Sequence, residues 1–278
     1  MRAYAVERFS AAPAILDLPR PAAADGYVVR VTYGGVNPLD YKLVDGLTPQ
    51  SSYPFVLGLD FAGVLEDVPS SERQLRPGDR VFGIARTHGS YAEFTAVPPD
   101  GKAEALAQIP DRVPDHQAAA LPMAGITALG ALEFSNVAAG QWFAVMGAAG
   151  GVGGYAVQLA RARGAHVIAT VHRDTHEAVR FGAKEAYDSL DVDAIDAIKQ
   201  KHPNGIDAVL DVVNGPEAIR RDAEILKPGG RLVSTLYAAD LPWFAQRRIT
   251  AQNIASVQSA HGRSVPPPNR AAACVGRI

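Results

Sequence analysis

The sequence predicts an α/β protein in which a strand-rich N-terminal part precedes a parallel sheet of alternating strands and helices. Three observations predict this class. Residues 1–120 contain apolar segments bounded by glycine and proline, as strands are. From about residue 121, short buried strands alternate with amphipathic helices, a pattern that indicates parallel strands joined by crossover connections. A glycine-rich turn joins the first of those strands to the helix that follows it.

Four segments of the N-terminal part carry the strand signal. They are rich in Val, Tyr, Phe and Leu or alternate apolar with polar residues. The segments are GYVVRVTYGGV (26–36), PFVLGLDFAGVL (54–65), RPGDRVFG (76–83) and GSYAEFTAV (89–97). The Pro77-Gly78 pair predicts a turn that leads into the third of them.

The second part alternates regularly after an apolar helix over 118–134. Its predicted strands and helices have the lengths expected of βαβ units. The strands are 141–147, 166–171, 206–213 and 231–236, and the helices are 152–164, 175–182 and 216–230. Pro216 suits the first turn of the last helix, and the pair Gly229-Gly230 is expected to end it. Residues 249–258 are expected to form a sixth strand.

The last 20 residues differ from the rest of the chain. Residues 259–278 contain three consecutive prolines and no usable periodicity, so we expect them to be irregular. Their bias toward Ala, Arg, Pro and Gly suggests a frameshift product or a truncated ending. The predicted organisation is therefore a first domain over 1–120, a second over 121–258 and an aberrant tail over 259–278.

Composition excludes several classes of function. The net charge of -2 predicts no nucleic-acid partner and no anionic membrane surface. The single cysteine, Cys274, excludes a disulfide within the chain and a multi-cysteine zinc site. The N-terminus has no apolar core of a signal peptide, and the longest apolar run, Ala118–Leu132, is too short for a membrane span. We therefore expect a cytoplasmic protein.

The turn GAAGGVG (147–153) is the principal functional candidate. It follows a strand and opens a helix, so its backbone N–H groups are expected to face a phosphate. The pattern is a variant of the dinucleotide-binding fingerprint, and its context supports that interpretation over a bare structural turn. Gly154-Tyr155 replaces the Lys-Ser/Thr pair of an NTPase loop. The predicted cofactor contacts are Gly147, Ala148, Gly150, Gly151, Val152 and Gly153.

The end of the second parallel strand favours NADPH over NADH. An NAD site needs an acid there for the ribose hydroxyl, yet no Asp or Glu occurs between Gly147 and Arg173. His172 and Arg173 stand where a 2′-phosphate would lie. In the alternative interpretation Arg173 is a solvated surface charge. Asp174 is expected to be the N-cap of the next helix.

Six collinear motifs resemble the medium-chain dehydrogenase/reductase superfamily over about residues 1–240. More closely, they are similar to its zinc-independent quinone oxidoreductase branch, the zeta-crystallin-like enzymes. The motifs are GVNPLDYKLVDG, YPFVLGLDFAGVL, PGDRVFG, GSYAEF, AAALPMAGITAL and GAAGGVGGYAVQLARARGAHVIAT.

The resemblance implies a GroES-like β-barrel catalytic domain and a Rossmann domain with a doubly wound parallel sheet. It implies an active site in the cleft between them, NADPH as hydride donor to quinones or enones, and a homodimer paired through the Rossmann domain. Asn37 stands where zinc-dependent relatives have a cysteine ligand, and Leu59-Asp60 stands where they have a His-Glu pair. We therefore expect no metal.

The resemblance also places the NPLDY segment near the nicotinamide. Asn37 is expected to orient the ribose or the substrate carbonyl, and Tyr41 to donate its phenol O–H. Either residue alternatively serves only the turn or the packing. Asp40 is interpreted as structural, with an N-cap as one role.

Further cofactor contacts are predicted in the second domain. Thr127 matches a family position that contacts the cofactor, or else bonds back to a helix carbonyl. The residues at the carboxyl ends of two later strands, where ligands bind parallel sheets, are Val213, Asn214, Leu236 and Tyr237.

The sequence thus predicts an NADPH-dependent quinone or enone reductase. Two alternatives stay open: an enoyl-thioester or alkenal reductase of the same superfamily, and an NADPH-binding protein without turnover. Other sites have little support. His172 and His176 lack a third metal ligand, and no G-x-S-x-G motif for a serine hydrolase occurs.

Overall fold

The structure is a computed structural model that describes residues 1–22, 26–44, 52–85, 89–98 and 106–254. The chain forms two compact units that divide between Met123 and Ala124. The predicted tail, 259–278, and the end of the predicted sixth strand lie outside the described residues.

The first unit consists of two antiparallel sheets. One sheet has the strand order β2-β1-β4, and the other has the order β7-β3-β5-β6-β8. The strands are β1 (Arg2–Val6), β2 (Ala14–Asp17), β3 (Tyr27–Gly35), β4 (Phe55–Val56), β5 (Asp60–Asp67), β6 (Arg80–Ile84), β7 (Phe94–Val97) and β8 (Leu106–Gln108). The helices are α1 (Pro38–Val44) and α2 (Asp115–Ala119).

The four predicted strand segments of this unit all contain strands, but one contains two. Residues 54–65 divide into β4 and β5 because Gly58 adopts a positive φ of 83° between them. The turn predicted at Pro77-Gly78 is confirmed, with Gly78 at φ 94°. Phe61 and Leu65 of β5 pack into the core of the larger sheet.

The second unit is built on a six-stranded sheet in which every neighbouring pair is parallel. Its order is β11-β10-β9-β12-β13-β14. The strands are β9 (Trp142–Met146), β10 (His166–Val171), β11 (Glu185–Asp188), β12 (Ile206–Asp211), β13 (Leu226–Ser234) and β14 (Thr250–Asn253). The helices are α3 (Pro122–Ser135), which begins at the unit boundary, α4 (Gly151–Ala162), α5 (Thr175–Phe181), α6 (Ala194–Lys201) and α7 (Leu241–Ala245).

This strand order confirms the predicted doubly wound Rossmann sheet. The chain leaves β9 toward β10 and β11 on one side, and returns to β12, β13 and β14 on the other. The strand order therefore reverses between β9 and β12, and open α/β sheets bind ligands at that crevice beyond the carboxyl ends.

Local signals explain where α5 begins and ends. The side chain of Asp174 accepts hydrogen bonds from the backbone N–H groups of His176 (2.9 Å) and Glu177 (3.4 Å), so the predicted N-cap is confirmed. Gly182 ends the helix in the left-handed conformation, with φ 108°.

The helix predicted over 216–230 is wrong for its second half. Residues Ala218–Glu224 form a short 3-10 helix, and β13 begins at Leu226. Pro228 has no N–H and disfavours a continuing helix, while the carbonyl of Ile225 accepts a hydrogen bond from Ile206 N–H at 2.8 Å. Residues that the sequence pattern assigns to the helix therefore form a strand that pairs with β12. Gly229 and Gly230 lie inside this strand and do not end a helix.

None of the helices within the described ranges is long and apolar enough to cross a membrane.

Candidate functional site

The glycine loop lies between β9 and α4, at the carboxyl edge of the parallel sheet. Gly147 has φ 91° and donates its N–H to the hydroxyl of Thr170 on β10, at 3.1 Å. Ala148 is fully buried and donates its N–H to the carbonyl of Thr170 at 2.8 Å. These two bonds fix the loop to the neighbouring strand.

The glycines of this loop serve two different purposes. A Cβ on Gly153 would overlap the carbonyl oxygen of Gly147, and one on Gly147 would overlap the side chain of Val213. The fold itself therefore requires these two glycines. Gly150 is different, because it has an ordinary extended backbone and a Cβ there would have only the Gly147 carbonyl oxygen near it, at 3.5 Å.

Within the part of the chain that the structure describes, the first turn of α4 has backbone N–H groups without an acceptor. Gly150 is the N-cap of α4 and has no side chain to accept from the N–H groups of Gly151, Val152 and Gly153. That turn contains no acidic residue. The exposed helix N-terminus therefore presents backbone N–H groups and partial positive charge to an anion.

His172 and Arg173 follow β10 directly, beside the glycine loop on the adjacent strand. Both side chains are exposed, and Arg173 adopts a positive φ of 74°. Asp188 at the end of β11 lies close to them. The pKa of Asp188 is lowered by the N–H groups of Leu190 and Arg173, and further by the charges of His172 and Arg173. His172 and Arg173 therefore share their surroundings with one carboxylate.

Exposed apolar residues follow the two strands on the other side of β9. Val213 after β12 is 54% exposed, and Leu236 and Tyr237 after β13 are 44% and 51% exposed. Asn214 lies next to Val213 and bonds through its Nδ2 to Asp211, at 2.6 Å. All four predicted residues thus lie at the same sheet edge as the glycine loop.

Thr127 lies on α3 and is nearly buried. Ala124, one turn earlier on the same helix, has its Cβ 3.5 Å from the position that a Cβ on Gly151 would take. Thr127 therefore belongs to the helix that packs beside the glycine loop.

A separate polar cluster occupies the first unit at the ends of β3 and β5. The Nδ2 of Asn37 donates to Asp60 at 3.0 Å, and the backbone N–H of Met123 lies 3.1 Å from both oxygens of that carboxylate. Burial raises the pKa of Asp60 to about 7, although the hydrogen bonds from Asn37 and Met123 oppose the rise. Asp60 therefore fixes the orientation of the Asn37 amide.

Asp40 is a second buried carboxylate in this cluster. It accepts the N–H of Asn37 at 2.7 Å and the O–H of Tyr91 at 2.9 Å. It lies inside α1 and bonds back to the residue before the helix, so it is not itself an N-cap and instead resembles the acid of a capping box. Burial raises its pKa, and these two hydrogen bonds oppose that rise.

Tyr41 directly follows Asp40 on α1, and its side chain is 57% exposed. Within the part of the chain that the structure describes, no hydrogen bond engages its hydroxyl. Its neighbour in the cluster, Asn37, is only partly exposed.

Sequence reasoning did not assign functional roles to three supporting residues: Thr170, Tyr91 and Asp211. The role of Asp211 could be recognised from the sequence, because a carboxylate at the end of the apolar run of β12 indicates a polar contact there. Asp60 was noted only as the replacement of a metal ligand, although an acid within an apolar run is itself a sign of a buried polar contact. Thr170 and Tyr91 carry no such signal in the sequence.

Comparisons with known proteins agree with this arrangement. Residues 23–111 match the family described as alcohol dehydrogenase GroES-like domain, and residues 151–273 match that described as zinc-binding dehydrogenase. The chain is 32% identical to human quinone oxidoreductase over 243 residues, which are 84% of this chain and 72% of the human protein. The chain belongs to the medium-chain dehydrogenase/reductase superfamily, in its quinone oxidoreductase-like family.

Two further relatives bear on the site. Quinone oxidoreductase from Thermus thermophilus, crystallised also as its complex with NADPH, has a TM-score of 0.81 and 29% identity, over 100% of this chain and 88% of that one. A trans-enoyl reductase of Aspergillus japonicus is 31% identical over 72% of this chain. The match spans 62% of that reductase, so the chain covers less than two thirds of it.

Among the described residues, those of the glycine loop suit a dinucleotide, and those at the positions compared with zinc ligands do not form a zinc-binding set. The open glycine cradle and the free N–H groups of α4 suit a pyrophosphate. At the positions compared with zinc ligands, Leu59 has no donor atom, and the amide of Asn37 is bonded to Asp60. Among the described residues, no group of three or more His, Cys, Asp or Glu side chains could hold a metal ion.

We predict that Gly150→Ser separates cofactor binding from folding. Serine is a good N-cap and the position has room, so the free energy of unfolding should stay within a few tenths of a kcal/mol or rise. Its hydroxyl would accept hydrogen bonds from N–H groups that could otherwise face a phosphate, so affinity for a nicotinamide dinucleotide such as NADPH should fall about tenfold or more, or ~1.4 kcal/mol. Urea unfolding and fluorescence titration measure the two effects.

The matched control for this substitution is Gly130→Ser, at an exposed position of α3 with no atom near the added Cβ. It should leave NADPH affinity unchanged. Unchanged affinity in Gly150→Ser would contradict a phosphate contact at this position.

We predict a pH-dependent stability from Asp60. An acid whose pKa is raised on folding keeps a proton that the unfolded chain has released. The free energy of unfolding should therefore fall as pH rises from about 4 to about 7. Asp60→Asn, which cannot titrate, should show a smaller slope in urea unfolding across this range, with slope left from Asp40 and Asp222, whose pKa values burial also raises.

Asp67→Asn, at the far end of the same strand and half exposed, is the control and should keep the wild-type slope. An Asp60→Asn protein with the full wild-type slope would show that Asp60 is not the titrating group.

Proposed function

We propose that the chain is an NADPH-dependent, zinc-independent reductase that transfers hydride to quinones or enones. One observation carries this proposal: the glycine cradle before α4 has free N–H groups, and the adjacent strand ends in His172 and Arg173 rather than an acid. The likeness to human and Thermus quinone oxidoreductases supports the substrate class.

The second unit would hold the cofactor. The N–H groups of Gly151, Val152 and Gly153 suit the pyrophosphate, and His172 and Arg173 suit a 2′-phosphate. The exposed apolar side chains at the same sheet edge, Val213, Leu236 and Tyr237, together with Thr127 and Asn214, would line the nicotinamide end.

A bound NADPH supplies a hydride. Quinones and enones accept it at a conjugated carbon, and negative charge then develops on their carbonyl oxygen. Tyr41, with its exposed phenol, would donate a hydrogen bond to that oxygen. Asn37 already gives one amide N–H to Asp60, so its amide is oriented and its carbonyl oxygen suits a hydroxyl donor such as a ribose. Neither role uses a metal.

The proposal also assigns domains and assembly. Residues 1–120 would be the catalytic domain and 121–258 the cofactor domain, and the division of the two units after Met123 supports this boundary. A homodimer through the Rossmann sheet is supported by β14, which among the described strands pairs on one side only.

A second candidate is an enoyl-thioester or alkenal reductase, favoured by the 31% identity to the Aspergillus trans-enoyl reductase. Hydride addition to a conjugated carbonyl is common to both candidates. The two differ in the acceptor.

Following NADPH absorbance with four acceptors tests the proposal. We expect oxidation with 1,4-benzoquinone or 9,10-phenanthrenequinone. Turnover only with an alkenal or crotonyl-CoA would favour the second candidate. Tight NADPH binding without turnover on any acceptor would instead indicate a cofactor-binding protein that catalyses no reduction.

Arg173→Ala tests cofactor choice. Loss of a charged hydrogen bond to the 2′-phosphate should weaken NADPH binding about tenfold and leave NADH binding unchanged. Alanine at the same positive φ keeps the backbone cost similar. Arg163→Ala, at the opposite end of α4, is the control and should affect neither cofactor. Equal losses for both cofactors would contradict the 2′-phosphate contact.

A further inference from the structure

A buried acid of the second unit has no part in the function proposed so far. Asp222 lies on the 3-10 helix Ala218–Glu224 and is 1% exposed. Within the described residues, neither oxygen of its carboxyl group has a hydrogen-bond donor to accept from. An ionised carboxylate without donors is strongly unfavourable in such a place.

The carboxyl group of Asp211 lies within hydrogen-bonding reach of that of Asp222 but has different surroundings. Its Oδ1 accepts the N–H groups of Val213 at 2.8 Å and Asn214 at 2.7 Å, and its Oδ2 accepts Nδ2 of Asn214 at 2.6 Å. Three N–H donors thus face the oxygens of Asp211, whereas none among the described residues faces those of Asp222. A proton on Asp222 would supply the donor that this pair of carboxyl groups lacks.

The electrostatics of the pair agree with a proton on Asp222. Burial, followed by the negative charge of the adjacent Asp211, raises the pKa of Asp222 well above its usual range. Arg221 has the opposite effect but is itself paired with Asp193, at 2.7 Å.

The turn that Asp211 holds reaches the glycine loop. Val213 packs so closely against Gly147 that a Cβ on Gly147 would overlap its side chain. A change in the orientation of Asp211 would therefore move Val213 and Asn214 and disturb the cradle beside them.

We propose that Asp222 is a positioning residue that donates the proton of its carboxyl group to Asp211 and so holds the turn 212–214 in place. Asp222 touches neither substrate nor cofactor and acts only through Asp211. The effect of this turn on cofactor binding rests on the proposed function, whereas the hydrogen bond and the order of the turn do not.

Three variants test the proposal. Asp222→Asn keeps a neutral donor, Asp222→Ala removes it, and Ile219→Val loosens the same buried segment without changing the acid. In the protein without cofactor, Asp222→Ala should speed hydrogen exchange of the Val213 and Asn214 amides at least tenfold. Asp222→Asn and Ile219→Val should stay close to wild type. Exchange in Asp222→Asn or Ile219→Val that is as fast as in Asp222→Ala, or exchange in Asp222→Ala that is no faster than in wild type, would overturn the proposal.

Infrared spectra provide a second measurement that does not need Asp222→Ala to fold. The wild-type protein should show a C=O stretch of an un-ionised carboxylic acid that persists to higher pH than those of exposed carboxyl groups, and Asp222→Asn should lack it. Absence of that difference would overturn the proposal.

Cofactor kinetics separate this proposal from the function on which it partly rests. Asp222→Ala should raise KM for NADPH at least fivefold with a smaller change in kcat, and Asp222→Asn should restore it. If the wild-type protein binds no NADPH, the proposed function is wrong. The hydrogen-exchange and infrared measurements would still test the role of Asp222, because they need no cofactor.

Discussion

The parallel pairing of β9 with β10 on one side and β12 on the other decides where the second unit can bind a ligand. Because connections leave β9 and β12 in opposite directions, no crossover covers the edge between them. The glycine loop lies at this edge. So do His172 and Arg173 after β10 and the exposed apolar residues after β12 and β13. Every candidate cofactor residue of the unit except Thr127, which lies on α3, owes its place to that pairing.

Buried carboxylates have the same structural role in both units: they accept hydrogen bonds from residues outside their own strand. Asp60 receives the N–H of Met123 and the amide of Asn37, while Asp211 receives the two N–H groups of the turn after β12. Each acid ties a loop residue to a strand, and so turns a flexible connection into a defined one. Each also has a buried acidic neighbour: the charge of Asp40 contributes to the raised pKa of Asp60, and the charge of Asp211 contributes to the raised pKa of Asp222.

Secondary structure is predicted best where all the residues that determine an element lie within one short segment of the chain. The run from β9 through α4 to β10 has its glycines, apolar periodicity and caps within about 30 residues, and its elements were predicted within one or two residues at most ends. The helix predicted over 216–230 was wrong in its second half because those residues pair with β12. The spacing of apolar residues within the segment does not reveal that pairing partner. Likewise, Asp60 meets Met123 across 63 positions of chain, beyond any local pattern.

The unequal constraints on the glycines of the cradle matter for interpreting natural variants. Gly153 is fixed by contact with the backbone of Gly147, whereas a Cβ on Gly150 would make only an ordinary contact with the Gly147 carbonyl oxygen. Loss of activity at these two neighbouring positions would therefore have different origins. A cell carrying a substitution at the first would contain little of the protein, because quality control removes misfolded chains. A substitution at the second would leave normal amounts of a folded protein whose phosphate cradle is impaired.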